Sequence, residues 1–209
     1  MREINSTTIL DNGETFESAR QHRLFNSNHK PASFKEVFGD LSDCILTEDL
    51  TLTDLNLDSL EGCPAEVRGY INLDGSPALK NLKGISKSTT MFLSCENLKS
   101  LESLEGLEGF CFENSDLFDR TLYLSNCPLL ADISALSSVS LKDCSSVIIQ
   151  ATNVHIKDMI LNFSEKRNRV GNFNFLKSDY SEKDLEKIYS IYQKVDFNKE
   201  KFERAMFLL

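Results

Sequence analysis

The chain of 209 residues carries 32 acidic against 23 basic side chains, a formal net charge of −9, and six cysteines. It is long enough for one solenoid with end caps or for two small domains. No apolar run could span a bilayer and the start, Met-Arg-Glu-Ile-Asn-Ser, lacks the apolar core of a secretion signal, so a soluble cytosolic protein is expected.

Residues 1–48 read as an N-terminal capping region, because an open solenoid end exposes core and needs a cover. Within them Ser33 and Glu36 form a capping box, Phe34, Val37 and Phe38 make an apolar face and Gly39 stops the segment, which predicts a short helix. The polar stretch from Gln21 to Lys30 precedes Pro31 and is expected to be a loop, with His22 and His29 as surface histidines. From Glu36 to Glu66 stand nine acidic residues and no lysine or arginine. That run argues against direct nucleic-acid binding, since phosphate neutralisation dominates such affinity. It suits a basic protein partner or, equally, a solvated face that only aids solubility.

Residues 49–163 carry a leucine ladder. Ile71-x-Leu73, Pro77, Leu79, Leu82 and Ile85 match Leu122-x-Leu124, Pro128, Leu130, Ile133 and Leu136, each displaced by 51 residues. Further copies are Leu50-x-Leu52 with Leu57, Leu60 and Cys63, Met91-x-Leu93 with Leu98, Leu101 and Leu104, and Phe110-x-Phe112 with Leu117. One anchor followed through Leu57, Leu79, Leu98, Leu117, Leu130 and Val147 gives an irregular array of five or six repeats. Each Leu-x-Leu reads as a short strand and the following leucines as a helical or irregular return segment. A single repeat cannot bury its apolar face, whereas a stack creates a continuous core. Three residues past the strand stand Ser76, Cys127 and Cys144, where leucine-rich repeats favour a small polar residue or cysteine, although their commonest choice, asparagine, is missing.

The turns carry a second pattern: Ser59-Leu-Glu-Gly-Cys-Pro-Ala-Glu-Val-Arg-Gly69, Asn81-Leu-Lys-Gly-Ile85 and Ser103-Leu-Glu-Gly-Leu107. Gly62, Gly84 and Gly106 fall at equivalent points, where the backbone must turn. This phrase resembles the leucine-rich-like repeats of tailed bacteriophage proteins, over roughly half the chain. The resemblance implies an irregular leucine-rich-repeat-like array, and with the end segments read from their own patterns the expected fold is an α/β solenoid with an N-terminal cap and a C-terminal pair of helices.

After Ile149 the register loosens, with Val154-x-Ile156 as a candidate last strand. Residues 164–209 read as a C-terminal helical cap. Ser181 to Asp184 is a capping-box start for an amphipathic helix over 182–194 bearing Leu185, Ile188, Tyr189 and Tyr192, and Asn198 can cap a second helix with Phe202, Ala205, Met206 and Leu209 on its apolar side.

Signs of catalysis are thin. No phosphate-cradling loop, nucleophile elbow or His-Glu-x-x-His occurs. The cysteines include no Cys-x-x-Cys pair and read as reduced core thiols, so no metal and no cofactor is expected. Leucine-rich-repeat effectors with ubiquitin-ligase activity use a cysteine in a large helical domain after the repeats, and no cysteine lies beyond Cys144. A His155–Cys144 dyad is the weak remaining candidate.

The expected site is therefore a surface. Residues between core anchors point outward from one sheet face, in order Thr51, Asn72, Phe92, Cys111, Tyr123 and Ser140. Phe92 and Tyr123 are the candidate anchors, with Thr51, Asn72 and Asp74 beside them, Thr53, Ser94, Ser125 and Lys142 at the rim, and Asp49, Asp54 and Asp58 supplying charge. The expectation is a non-catalytic, monomeric protein-binding module acting in the host cytoplasm. The phage resemblance implies an inhibitor that neutralises a host defence protein, such as a basic nucleic-acid-acting enzyme: a DNA-modifying, ADP-ribosylating toxin or a nuclease. Two alternatives stand beside it: a structural or adhesion component of the virion, which mass spectrometry of purified particles would detect, and an enzyme with an unrecognised site.

Overall fold

A computed structural model describes residues 1–25, 30–113, 120–140, 146–155, 158, 172–176, 183, 187, 190–191, 193–195 and 198–206. The chain winds into a parallel β-solenoid of about four turns. Face I is a five-stranded sheet ordered β1 (Arg2–Ile4), β3 (Cys44–Leu46), β6 (Glu66–Val67), β8 (Ser88–Thr89) and β10 (Cys111–Phe112). Face II is six-stranded and runs β4 (Leu50–Thr51), β7 (Ile71–Asn72), β9 (Leu93–Glu96), β11 (Thr121–Ser125), β12 (Ser146–Gln150) and β13 (Asn172–Leu176). Face III begins with β2 (Ala32–Ser33) beside β5 (Leu57–Ser59). It continues as single backbone bonds, Leu60 N–H to Lys83 O at 3.2 Å, Leu82 N–H to Glu105 O at 2.8 Å and Leu104 N–H to Asp132 O at 3.0 Å. Every strand pair is parallel.

The sequence explains this winding. Strands of two to five residues are too short to stand alone, but their backbone N–H and C=O groups find partners one turn away, and the apolar side chains of all three faces meet on the axis. Leu50, Leu52, Leu55, Leu57, Leu60, Val67, Ile71, Leu79, Leu82, Leu93, Leu101 and Leu104 are all buried in that single core. At roughly 1.5–3 kcal/mol per fully buried aliphatic side chain, the core outweighs what the sparse strand ladders contribute.

The 51-residue correspondence spans two rungs, because Ile71 pairs with Leu93 and Leu93 with Leu122. The intervening copy sits two residues later than expected: Leu93-x-Cys95, not Met91-x-Leu93, stands level with Ile71-x-Leu73 and Leu122-x-Leu124. Cys95 takes the leucine's place in the core with no exposure, and the thiol hid the copy from a search for leucine. On face III the level series is correspondingly Leu57, Leu79, Leu101 and Leu130, so Leu98 and Val147 leave it, and Leu117 lies outside the described residues. Phe110-x-Phe112 is not a face II copy either, since Cys111 and Phe112 pair with Ser88 and Thr89 on face I.

The return segments are not α-helical. They are bends and turns, with a single 3-10 turn at Ser134–Ser137 among the described residues, so the rungs lack the helical half of an α/β repeat. Gln21 to Phe25, the first half of the stretch expected to be a loop, instead continue α1 (Phe16–Phe25), which Glu17 steadies through Arg20 and Gln21, while 26–29 lie outside the described residues. Phe16 stacks on Phe38 of α2 (Phe34–Phe38) at 4.7 Å, so an apolar contact made only in three dimensions organises a polar segment. Helix α2 has the predicted capping box between Ser33 and Glu36 and ends at Gly39. Past residue 163, β13 pairs with β12 on face II, and α3 (Lys199–Met206) starts at Asn198, whose Oδ1 accepts the Lys201 N–H at 3.0 Å. Val154 is buried but not in a strand, and Ile156, Leu185, Ile188, Tyr189, Tyr192 and Leu209 lie outside the described residues.

Candidate functional site

Face II presents its outward side chains in two rows. The first precedes the inward Leu50, Ile71 and Leu93 and reads Asp49, Tyr70 and Phe92; the second, between the inward residues, reads Thr51, Asn72, Ser94, Tyr123 and Ile148. Phe92 therefore stands beside Tyr70 and not in the Thr51 row, while Cys111 and Ser140 bridge one another on face I. The rings of Tyr70 and Phe92 stack at 4.6 Å with 6° between planes, close to the spacing of adjacent strands. Tyr123 meets Phe92 edge-on at 6.0 Å and 87°. All three are half-buried, so a continuous aromatic strip crosses three rungs.

Tyr70 was not visible as a member of this strip. Its signal was an aromatic residue directly before an inward aliphatic, Tyr70-Ile71 and Phe92-Leu93, and it emerges only with the corrected register.

Alongside runs a polar ladder. Thr53 Oγ1 donates to Asn72 Oδ1 at 3.1 Å, and that oxygen also accepts the Asp74 N–H at 2.8 Å. Asp74 Oδ1 accepts from Ser94 Oγ at 2.6 Å and from the Glu96 N–H at 2.8 Å, and Glu96 Oε1 accepts from Ser125 Oγ at 2.6 Å. The bonds to the Asp74 and Glu96 carboxylates are charge-assisted and, with Thr53–Asn72, tie one rung to the next along the strip's border. The ladder ends at a corner where Asp54, Asn97 and Asn126 have φ of 59°, 58° and 53°, a conformation that Asn and Asp tolerate.

Of the acidic candidates, Asp49 holds the strip's end: its Oδ1 accepts the Tyr70 N–H at 3.1 Å. Gly69 is required there, since a Cβ would lie 2.2 Å from that oxygen. Asp54 sits exposed at the corner and Asp58 is exposed on β5 of face III, so the three are not brought onto one face. Lys142 lies outside the described residues.

Burial pushes the thiols of Cys63 and Cys95 well above the ordinary range and that of Cys127 up to about 11, so none is a thiolate at neutral pH. His155 is exposed, and Cys144, its proposed partner, lies outside the described residues, as does His29. Among the described residues no group of three His, Cys, Asp or Glu side chains is disposed to hold a metal ion, and no helix is long and apolar enough to cross a membrane. The chain matches no protein-family model, no curated protein and no solved structure.

Proposed function

We propose that the chain is a non-catalytic protein-binding module that meets its partner through the aromatic strip of face II. The observation that carries this reading is the stacked row of Tyr70, Phe92 and Tyr123, half-exposed and backed by a polar ladder. Rigid aromatic rings lose little conformational freedom on binding and dominate interface energetics. In this reading residues 1–48 and 164–209 close the two ends of a leucine-rich-repeat-like array and leave the flank free. The partner class that fits the negative chain is a basic host protein. With the turn phrase, this favours a phage-encoded inhibitor of a host defence protein such as a DNA-modifying toxin or a nuclease, acting in the host cytoplasm.

The test is capture from host lysate by the purified chain, followed by affinity measurement with the captured protein. Phe92→Ala with Tyr123→Ala is expected to weaken binding about 1,000-fold, two anchors at about 2 kcal/mol each, while circular dichroism stays unchanged. Full affinity in that variant moves the interface off face II.

A further inference from the structure

The N-terminal residues complete two of the three faces and leave one unfinished. On face I β1 pairs with β3, and on face III β2 pairs with β5. On face II β4 is the terminal strand, paired with β7 alone among the described residues. Its bonds to β7 use alternate residues, Leu50 N–H to Tyr70 O at 2.9 Å and Leu52 N–H to Asn72 O at 2.8 Å. In a parallel strand the residue between them directs its N–H and C=O to the opposite edge, so Thr51 offers there a backbone donor and acceptor that no other described strand takes up.

That edge opens into a cleft of about 340 Å³. Glu17 and Arg20 of α1 form one wall, and Glu48, Asp49, Thr51 and Tyr70 line the other. An unpaired strand edge beside a cleft is the arrangement by which an extended segment adds to a sheet.

Charge decides the kind of segment. The cleft holds three carboxylates and one guanidinium, and that guanidinium is already engaged by Glu17 through Nε at 2.9 Å and Nη2 at 2.7 Å. Glu48 uses one oxygen for the Ser6 N–H at 2.9 Å and Asp49 one for the Tyr70 N–H at 3.1 Å, which leaves each a second oxygen. Phe92 stacks on one face of the Tyr70 ring, and Tyr70 also lines the cleft, where an aromatic ring can attract a cation. Resting on the protein-binding reading above, we propose that this cleft receives an extended, arginine- or lysine-bearing segment of the partner, which pairs with the Thr51 edge of β4 and sets its cationic side chain over Tyr70 and against Glu48 and Asp49.

The test uses the full isotope-labelled chain and, as probe, an acetylated and amidated pentapeptide of alternating valine and arginine, followed by NMR titration. Saturable binding with the largest shifts at Thr51 and its neighbours is expected. Replacing the arginines by neutral, isosteric citrulline is expected to weaken it at least tenfold, as is methylating the peptide's backbone nitrogens. Glu48→Gln with Asp49→Asn keeps an oxygen for the Ser6 and Tyr70 amides and is expected to lose at least tenfold; should that variant not fold, the citrulline comparison on the unmodified chain decides. Equal affinity for the citrulline peptide, no saturation at millimolar peptide, or shifts confined to another face overturns the proposal. So does a concentration-dependent dimer with Thr51 at its interface, which would make a second copy the occupant. If the peptide fails while Phe92→Ala with Tyr123→Ala still abolishes partner capture, this inference falls and the binding reading stands; the reverse pattern removes the reading and keeps the cleft.

Discussion

Gly106 and Gly109 lie in consecutive turns, closed by Leu107 N–H to Leu104 O and Phe110 N–H to Leu107 O, and separate two reasons for glycine. Both have positive φ, 104° and 74°, but a Cβ at Gly106 would come within 2.4 Å of the Leu82 carbonyl group on the preceding rung, whereas at Gly109 it would meet nothing within 4 Å. Gly109→Ala is expected to cost about 1–2 kcal/mol, the strain of a left-handed alanine. Gly106→Ala adds a collision with backbone that cannot move without separating two rungs, and is expected to cost at least about 3 kcal/mol. Urea midpoints of the two variants give the comparison; equal losses would mean that the rungs yield easily. Gly106 was legible in the sequence as a turn point equivalent to Gly62 and Gly84, whereas nothing in the repeat pattern marked Gly109. That one is needed for stacking and the other only for φ depends on the neighbouring rung, which lies more than twenty residues away along the chain.

At the scale of elements, the corner between faces II and III accounts for the small polar or cysteine position after each strand. Ser76 Oγ donates to Leu52 O at 3.3 Å and Cys127 Sγ to Cys95 O at 3.1 Å, each reaching a carbonyl of the preceding rung. A short donor side chain reaches that carbonyl, which serine and cysteine both supply, whereas Leu98 at the same point of the rung between them fills core instead. The thiol makes this corner sensitive to alkali. Cys127 titrates near 9 in its ordinary state and is pushed up to about 11 by burial. Between those values the unfolded chain releases a proton that the folded chain retains, so the unfolded state binds fewer protons and stability falls as pH rises. Below about 9 the contribution is intact. The loss is expected to run at about 1.4 kcal/mol per pH unit up to 11, and Cys127→Ser, which keeps a donor, is expected to flatten the pH dependence of the unfolding free energy by that amount. An unchanged slope would assign the alkaline loss to Cys63 and Cys95. The Leu-x-Leu spacing located the face II strands at Leu50, Ile71 and Leu122 but missed the register at Leu93, and α1 was not readable because its order depends on Phe16 meeting Phe38.

For the whole molecule, the acidic run acquires a shape that a linear reading misses. Glu36 to Glu66 covers α2 and the first turn of the solenoid, so its nine carboxylates surround one end of the array on every side. A charged run as long as one turn becomes a ring; a charged face would need acidic residues repeated once per turn. Such an end attracts a basic partner from many directions, which affects association rate more than affinity. Asp54→Asn, Asp58→Asn and Glu61→Gln together, all exposed, are expected to slow association about tenfold at low salt and to match the parent chain near 1 M salt, where the screening length falls to about 3 Å. An unchanged low-salt rate would reduce the ring to an aid to solubility.

The sequence alone determined that the chain stacks, because apolar residues recurring at strand and turn spacing over a hundred residues leave no other way to bury them. It also placed the capping box of α2, the turn glycines Gly62, Gly84 and Gly106, and Tyr123 in its outward row, while it set Phe92 one row away from where it stands. The register was decided only in three dimensions, since a leucine and a cysteine fill the same inward position and a slip of two residues preserves the pattern of alternation. From that register came the partnership of Tyr70 with Phe92, the departure of Cys111 and Ser140 to another face, and the open edge of β4. Periodicity specifies which residues face inward, whereas which outward residues become neighbours depends on how long each turn is, and that is set by loops whose length no local spacing records.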